Sequence, residues 1–145
     1  MRVRVRLGLA CALLLTSCTA SGTRGGALPP PPTHITVTMV EYRFEHPQQA
    51  PRGRVVFTAH NAGALTHELI LVSLADDLPP ISEMLKSDTR RAVDTLVTLR
   101  NRAPGSTGKF AVDLDKGRYA FICFVRDPDG VSHAMKGMAS EFRVA

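Results

Sequence analysis

Three observations predict an all-β sandwich for this chain. Short runs of alternating or β-branched residues recur along most of its length, and Gly, Pro and Asp turn signals separate them. Residues 34–145 are enough for one sandwich core and too few for two domains. His34-Ile35-Thr36-Val37-Thr38-Met39-Val40 alternates with period two and predicts a half-buried strand. Arg54–His60 follows the turn residues Pro51 and Gly53, and His67–Val72 is an apolar run of strand length. Lys109–Leu114 alternates and ends on the turn Asp115-Lys116-Gly117. Arg118–Val125 is the next strand, and Glu141–Val144 closes the chain. One segment departs from the pattern. Pro79–Lys86 and Asp88–Leu96 have helical spacing, with Pro80 suited to a first turn and Asp88 to a cap. Residues 79–96 are therefore expected as one or two short helices inserted between strands, serving as a plain connector.

The N-terminus reads as an export signal covering residues 1–17. Arg2, Arg4 and Arg6 form a basic start, and the apolar stretch Leu7–Leu15 is too short to span a bilayer. Leu15-Thr16-Ser17-Cys18 resembles a bacterial lipobox, which makes Cys18 the expected lipidation site. Residues 18–33, with the proline run Pro29–Pro32, cannot bury a core and are expected as a lipid-anchored flexible linker. The domain would then be exported and held at the outer face of the bacterial cytoplasmic membrane. Loss of the three leader arginines lowers the formal charge from +5 to about +2. The remaining basic residues are scattered and Trp is absent, so nothing points to nucleic acid.

Cysteine use narrows the chemistry. Cys11 leaves with the leader and Cys18 is assigned to lipid, so Cys123 alone remains in the domain and no disulfide can form within it. A lone thiol is commonly just a buried core residue. Its neighbours argue for more. Period two puts Tyr119, Phe121 and Cys123 on one strand face, so the thiol points into the core near a strand end. The loop Asp127-Pro128-Asp129-Gly130 follows, and His133 and Met138 lie beyond it. Soft sulfur, imidazole and thioether form a donor set that selects copper over harder ions. A further donor must come from elsewhere, and His67, at the start of its strand after Asn61-Ala62-Gly63, is the best candidate.

These segments resemble the cupredoxins, the blue copper family that includes plastocyanin and azurin. The likeness rests on Asn61-x-Gly63 leading to His67, and on Gly117-x-Tyr119-x-Phe121-x-Cys123 leading to His133-x-x-x-Gly137-Met138. It spans roughly Ile35 to Val144. The resemblance implies a Greek-key β-sandwich holding one type 1 copper ion. It implies His67 and His133 as imidazole ligands, Cys123 as thiolate, Met138 as axial donor, and Gly137 as relief for crowding beside them. Glu68 stands where many relatives bridge the ligand segments with Asn, so Glu68, with Asn61, is expected to bridge differently. Nine residues separate Cys123 from His133, more than in the best-known relatives, and Met135 is a competing thioether. His60 is a second-choice ligand, while His34 and His46 are expected at the surface.

The function expected is membrane-tethered transfer of single electrons between membrane-associated redox proteins, by a monomer that is not an enzyme. A copper store or delivery protein is the alternative. Nucleophilic catalysis by Cys123 with a histidine is disfavoured because the thiol lies on an aromatic strand face. Zinc on His67, Glu68, Cys123 and His133 leaves the Gly137-Met138 match unexplained. A metal-free adhesion or interaction module would be indifferent to Cys123→Ser and His133→Ala.

Overall fold

A computed structural model describes residues 28–87 and 92–145. The expected leader, Cys18 and Asp88 lie outside the described residues. Among the described residues, nine strands and one short α-helix follow in order: β1 Thr33–Val40, β2 Arg43–Glu45, β3 Gln49–Ala50, β4 Gly53–Asn61, β5 His67–Leu74, α1 Ile81–Met84, β6 Asp94–Arg102, β7 Thr107–Leu114, β8 Gly117–Ile122 and β9 Ala139–Val144. They form two sheets, one ordered β2-β1-β4-β7 and the other β3-β9-β8-β5-β6. β1 runs parallel to β4 and β3 parallel to β9, while the other pairings are antiparallel. Because β6 and β7 belong to different sheets and β8 returns beside β5, the chain crosses between layers in the Greek-key manner.

The alternation read from the sequence explains the core. Val37, Met39, Val55, Phe57 and Ala59 face inward from one sheet; Leu69, Leu71, Tyr119, Phe121, Phe142 and Val144 face them from the other. Phe121 stacks on Phe142 with centroids 5.0 Å apart and meets the Phe57 ring edge-on at 5.5 Å. Burying each such side chain contributes roughly 1.5–3 kcal/mol. β8 is buried on both faces: Ala120 and Ile122 point away from the main core into a second cluster with Val72, Leu74, Ile81 and Ala134. That double burial is why Tyr119-Ala120-Phe121-Ile122 is apolar at every position. Buried Arg118 is tolerated because it is fully engaged, donating to Leu78 O at 2.7 Å and to Glu141 at 3.1 Å.

Among the described residues of the expected helical insertion, Ile81–Met84 is helical, whereas residues 94–96 belong to strand β6. β6 pairs with β5 from Asp94 to Arg102, so a ladder along a buried neighbour overrides the local helical spacing. The expected strand to Val125 also ends earlier, at Ile122, and Cys123 is the first residue beyond the ladder.

Candidate metal centre

Two strand ends and one turn carry the candidate donors. His67 opens β5, Cys123 follows β8, and His133 begins a single 3-10 turn, His133–Lys136. Backbone hydrogen bonds knit the Cys123–Met138 segment together. Ala134 N–H donates to Cys123 O at 2.7 Å, His133 N–H to Val125 O at 2.8 Å, and Met138 N–H to His133 O at 2.9 Å. Cys123 N–H donates back to Met138 O at 3.1 Å. Gly137 closes the turn at φ +110°, a conformation that disfavours any side chain.

These elements bring three donors together. His67 Nδ1 lies 3.1 Å from His133 Nδ1, and Cys123 Sγ lies 3.5 Å from His133 Nδ1. One donor atom from each residue lies within 4.8 Å of the others, and all three side chains are buried. Met138 is fully buried in the same core cluster as Cys123, whereas Met135 is 54 % exposed.

No family model matches the chain, and no curated protein matches it by sequence. Solved structures do match. The dithionite-reduced auracyanin of the photosynthetic bacterium Roseiflexus castenholzii superposes with a TM-score of 0.55 at 17 % identity, covering 78 % of this chain and 97 % of its own. Rusticyanin from Thiobacillus ferrooxidans gives 0.54 at 18 % identity over 77 % of this chain and 76 % of its own. Auracyanin A of Chloroflexus aurantiacus, described as a "blue" copper protein, gives 0.53 at 18 % identity over 79 % of this chain and all of its own. The chain has the cupredoxin fold.

Within this cupredoxin fold, each imidazole has a carboxylate behind it. His67 Nε2 is 3.3 Å from Glu41 Oε1, and His133 Nε2 is 3.1 Å from Asp127 Oδ1. Leu65 N–H, donating to Glu41 at 2.7 Å, is the main reason the Glu41 carboxyl titrates below its usual range. The Lys136 ammonium at 2.6 Å, followed by the Tyr42 hydroxyl at 2.5 Å, holds the Asp127 carboxyl well below the ordinary value. Both carboxylates are therefore ionised at neutral pH and can only accept, so each Nε2 carries the hydrogen. Both Nδ1 atoms face inward, 3.1 Å apart and beside the Cys123 sulfur, where neutral rings would offer lone pairs to a cation. A copper ion fits this donor set, since its ligands are soft sulfur and neutral imidazole.

Burial raises the Cys123 thiol above its ordinary pKa, the opposite of what a catalytic nucleophile needs. Burial, and then the neighbouring His133, lower the His67 pKa, which favours the neutral ring that binds metal. Glu68 is not one of the grouped donors: its Oε1 accepts Phe124 N–H at 3.0 Å, while its backbone N–H points to Cys123 Sγ at 3.4 Å. Asn61, fully buried, donates to Leu65 O at 2.8 Å and Arg102 O at 2.7 Å and accepts Gly63 N–H at 3.0 Å, fixing the turn ahead of His67.

His60 stands apart from the cluster, with Nδ1 at 3.1 Å from Thr107 Oγ1. His34 is exposed as expected. His46 is not: its ring is half-buried against Phe121 at 5.0 Å and its Nε2 meets Ser140 Oγ at 2.9 Å. The sequence reading missed Glu41, Tyr42 and Asp127. Glu41 and Tyr42 sit in the connection from β1 to β2, and the sequence marks Asp127 only as part of a turn. A carboxylate within the ligand loop was the one available signal.

Proposed function

We propose that this chain is a type 1 copper protein that carries single electrons between redox partners in the cell envelope. The observation that carries the reading is the convergence of His67 Nδ1, Cys123 Sγ and His133 Nδ1 inside a cupredoxin fold. A copper ion held there supplies a one-electron Cu(I)/Cu(II) couple. His67, Cys123 and His133 would bind it, and Met138, fully buried in the same core cluster as Cys123, would supply the thioether. The interior of the sandwich excludes water from the sulfur. Hydrogen bonds along Cys123–Met138 hold the donors in one place, so little rearrangement accompanies a change of charge.

His133 is 1 % exposed, so a partner does not touch its ring. The outward route runs instead through Phe124, which follows Cys123 and is 47 % exposed. Val131 and Met135 are also exposed on the same loop segment. We place the docking of a membrane-associated redox protein at these exposed side chains, with the chain acting as a monomer and not as an enzyme. Export, lipidation of Cys18 and the linker would hold the domain near such partners and raise their effective concentration.

Addition of Cu(II) to the purified domain tests the reading. An intense visible thiolate-to-copper band with narrow copper hyperfine splitting is expected, along with reversible one-electron reduction. A colourless complex, or a band that survives Cys123→Ser, contradicts it. The exposed thioether of Met135 favours copper delivery as a second reading, for which Cu(I) transfer to an acceptor would depend on Met135.

A further inference from the structure

The long segment between Cys123 and His133 is internally braced. Asp127 N–H donates to Val131 O at 3.0 Å, and Gly130 N–H returns to Asp127 O at 2.8 Å. Val131 N–H donates to Asp129 Oδ1 at 2.9 Å, and Arg126 bridges to Ser132. This bracing presents Asp127 to the outer edge of His133. The two oxygens of Asp127 divide their work: Oδ1 faces His133 Nε2, while Oδ2 accepts from Tyr42 and Lys136. Lys136 also reaches Asp129 at 2.6 Å, so one ammonium serves two carboxylates and an excess of negative charge remains beside the ring. Glu41 repeats the arrangement at His67. A Cβ at residue 63 would fall on the Glu41 carboxylate, so Gly63 keeps that place open.

We propose that Asp127 and Glu41 are positioning residues that fix both imidazoles with Nδ1 turned inward and lower the reduction potential of the centre. The inference rests on the copper reading above. A fixed negative charge one imidazole away from the ion favours the more highly charged oxidised state, and a water-poor interior strengthens that effect. Lys136 opposes it. Removing the charge of Asp127 and removing the charge of Lys136 must therefore move the potential in opposite directions. A merely structural brace, loosened from either side, has no reason to give opposite signs.

The test compares the parent chain with Asp127→Asn, Glu41→Gln, Lys136→Gln and Gly63→Ala, each loaded with copper and titrated to redox equilibrium. Asn and Gln can still accept the Nε2 hydrogen, and Gly63→Ala displaces the Glu41 carboxylate without altering charge. Asp127→Asn, Glu41→Gln and Gly63→Ala are expected to raise the potential and Lys136→Gln to lower it. Asp127→Asn is expected to lose Cu(II) affinity by about 10–100-fold, the usual effect of altering a ligand's hydrogen-bond partner. Should Asp127→Asn fail to fold, Glu41→Gln and Gly63→Ala carry the same test. Potentials that stay at the parent value, or that shift the same way for Asp127→Asn and Lys136→Gln, overturn the inference while leaving the copper reading standing. A parent chain without the thiolate-to-copper band removes both.

Discussion

Glu68 clamps the two ligand segments together: its carboxylate accepts the Phe124 backbone N–H at 3.0 Å, across from β5 to the residue beside Cys123. The same residue aims its own N–H at the sulfur. One side chain thus ties the strand that carries His67 to the loop that carries Cys123. A carboxylate can take this role because the bond it receives comes from main chain and does not depend on another side chain's rotamer.

Glu68→Ala removes the acceptor and leaves a partly buried N–H without a partner. It should cost about 1.5–3 kcal/mol in denaturant unfolding, while Glu68→Gln, which keeps an acceptor, should cost less. The copper-loaded Ala variant should also release its ion faster, measurable by chelator competition.

Gly137→Ala places a side chain at φ +110°. A loss of about 1–3 kcal/mol is expected from backbone strain. Because Gly137 joins the His133 turn to Met138, the visible spectrum of the copper-loaded variant should change as well. An unaltered spectrum and midpoint would show that the turn accommodates the side chain.

The two thioethers should behave differently. Met138→Leu nearly conserves volume, so its stability should change by less than about 1.5 kcal/mol, but its potential should rise as the axial donor is lost. Met135→Leu should leave spectrum and potential unchanged, since Met135 points to solvent. Reversal of that order would assign the axial position to Met135.

Phe121 sits at the centre of the aromatic cluster, touching Phe57, Phe142 and Phe44. Phe121→Ala should destabilise the domain by about 3–5 kcal/mol in thermal or denaturant unfolding. Excess copper at 100 times its dissociation constant should restore about 2.7 kcal/mol if the variant's folded state still binds it.

Much of this architecture was legible in the sequence, for identifiable reasons. Period-two patterns at His34–Val40, Arg54–His60 and Lys109–Leu114 each match a strand to within a residue or two at either end. Cys123, His133 and Met138 lie within one short stretch, so their proximity needed little tertiary knowledge. β6 was hidden because Val93, Leu96 and Val97 are spaced as in a helix, and only pairing with β5 reveals the strand. β2 and β3 were missed because three and two residues are too short to show a period. Glu41, Tyr42 and Asp127 were hidden for another reason. Glu41 lies 26 residues from His67 and Tyr42 lies 85 from Asp127, and although Asp127 is only six residues from His133, carboxylates in turns ordinarily face water.

X-ray absorption at the copper edge of the loaded domain tests the central claim most directly. One short sulfur scatterer and two imidazole nitrogens are predicted, with the sulfur lost in Cys123→Ser and one imidazole lost in either His67→Ala or His133→Ala. A copper shell made only of oxygen and nitrogen, unchanged by those substitutions, would contradict the account.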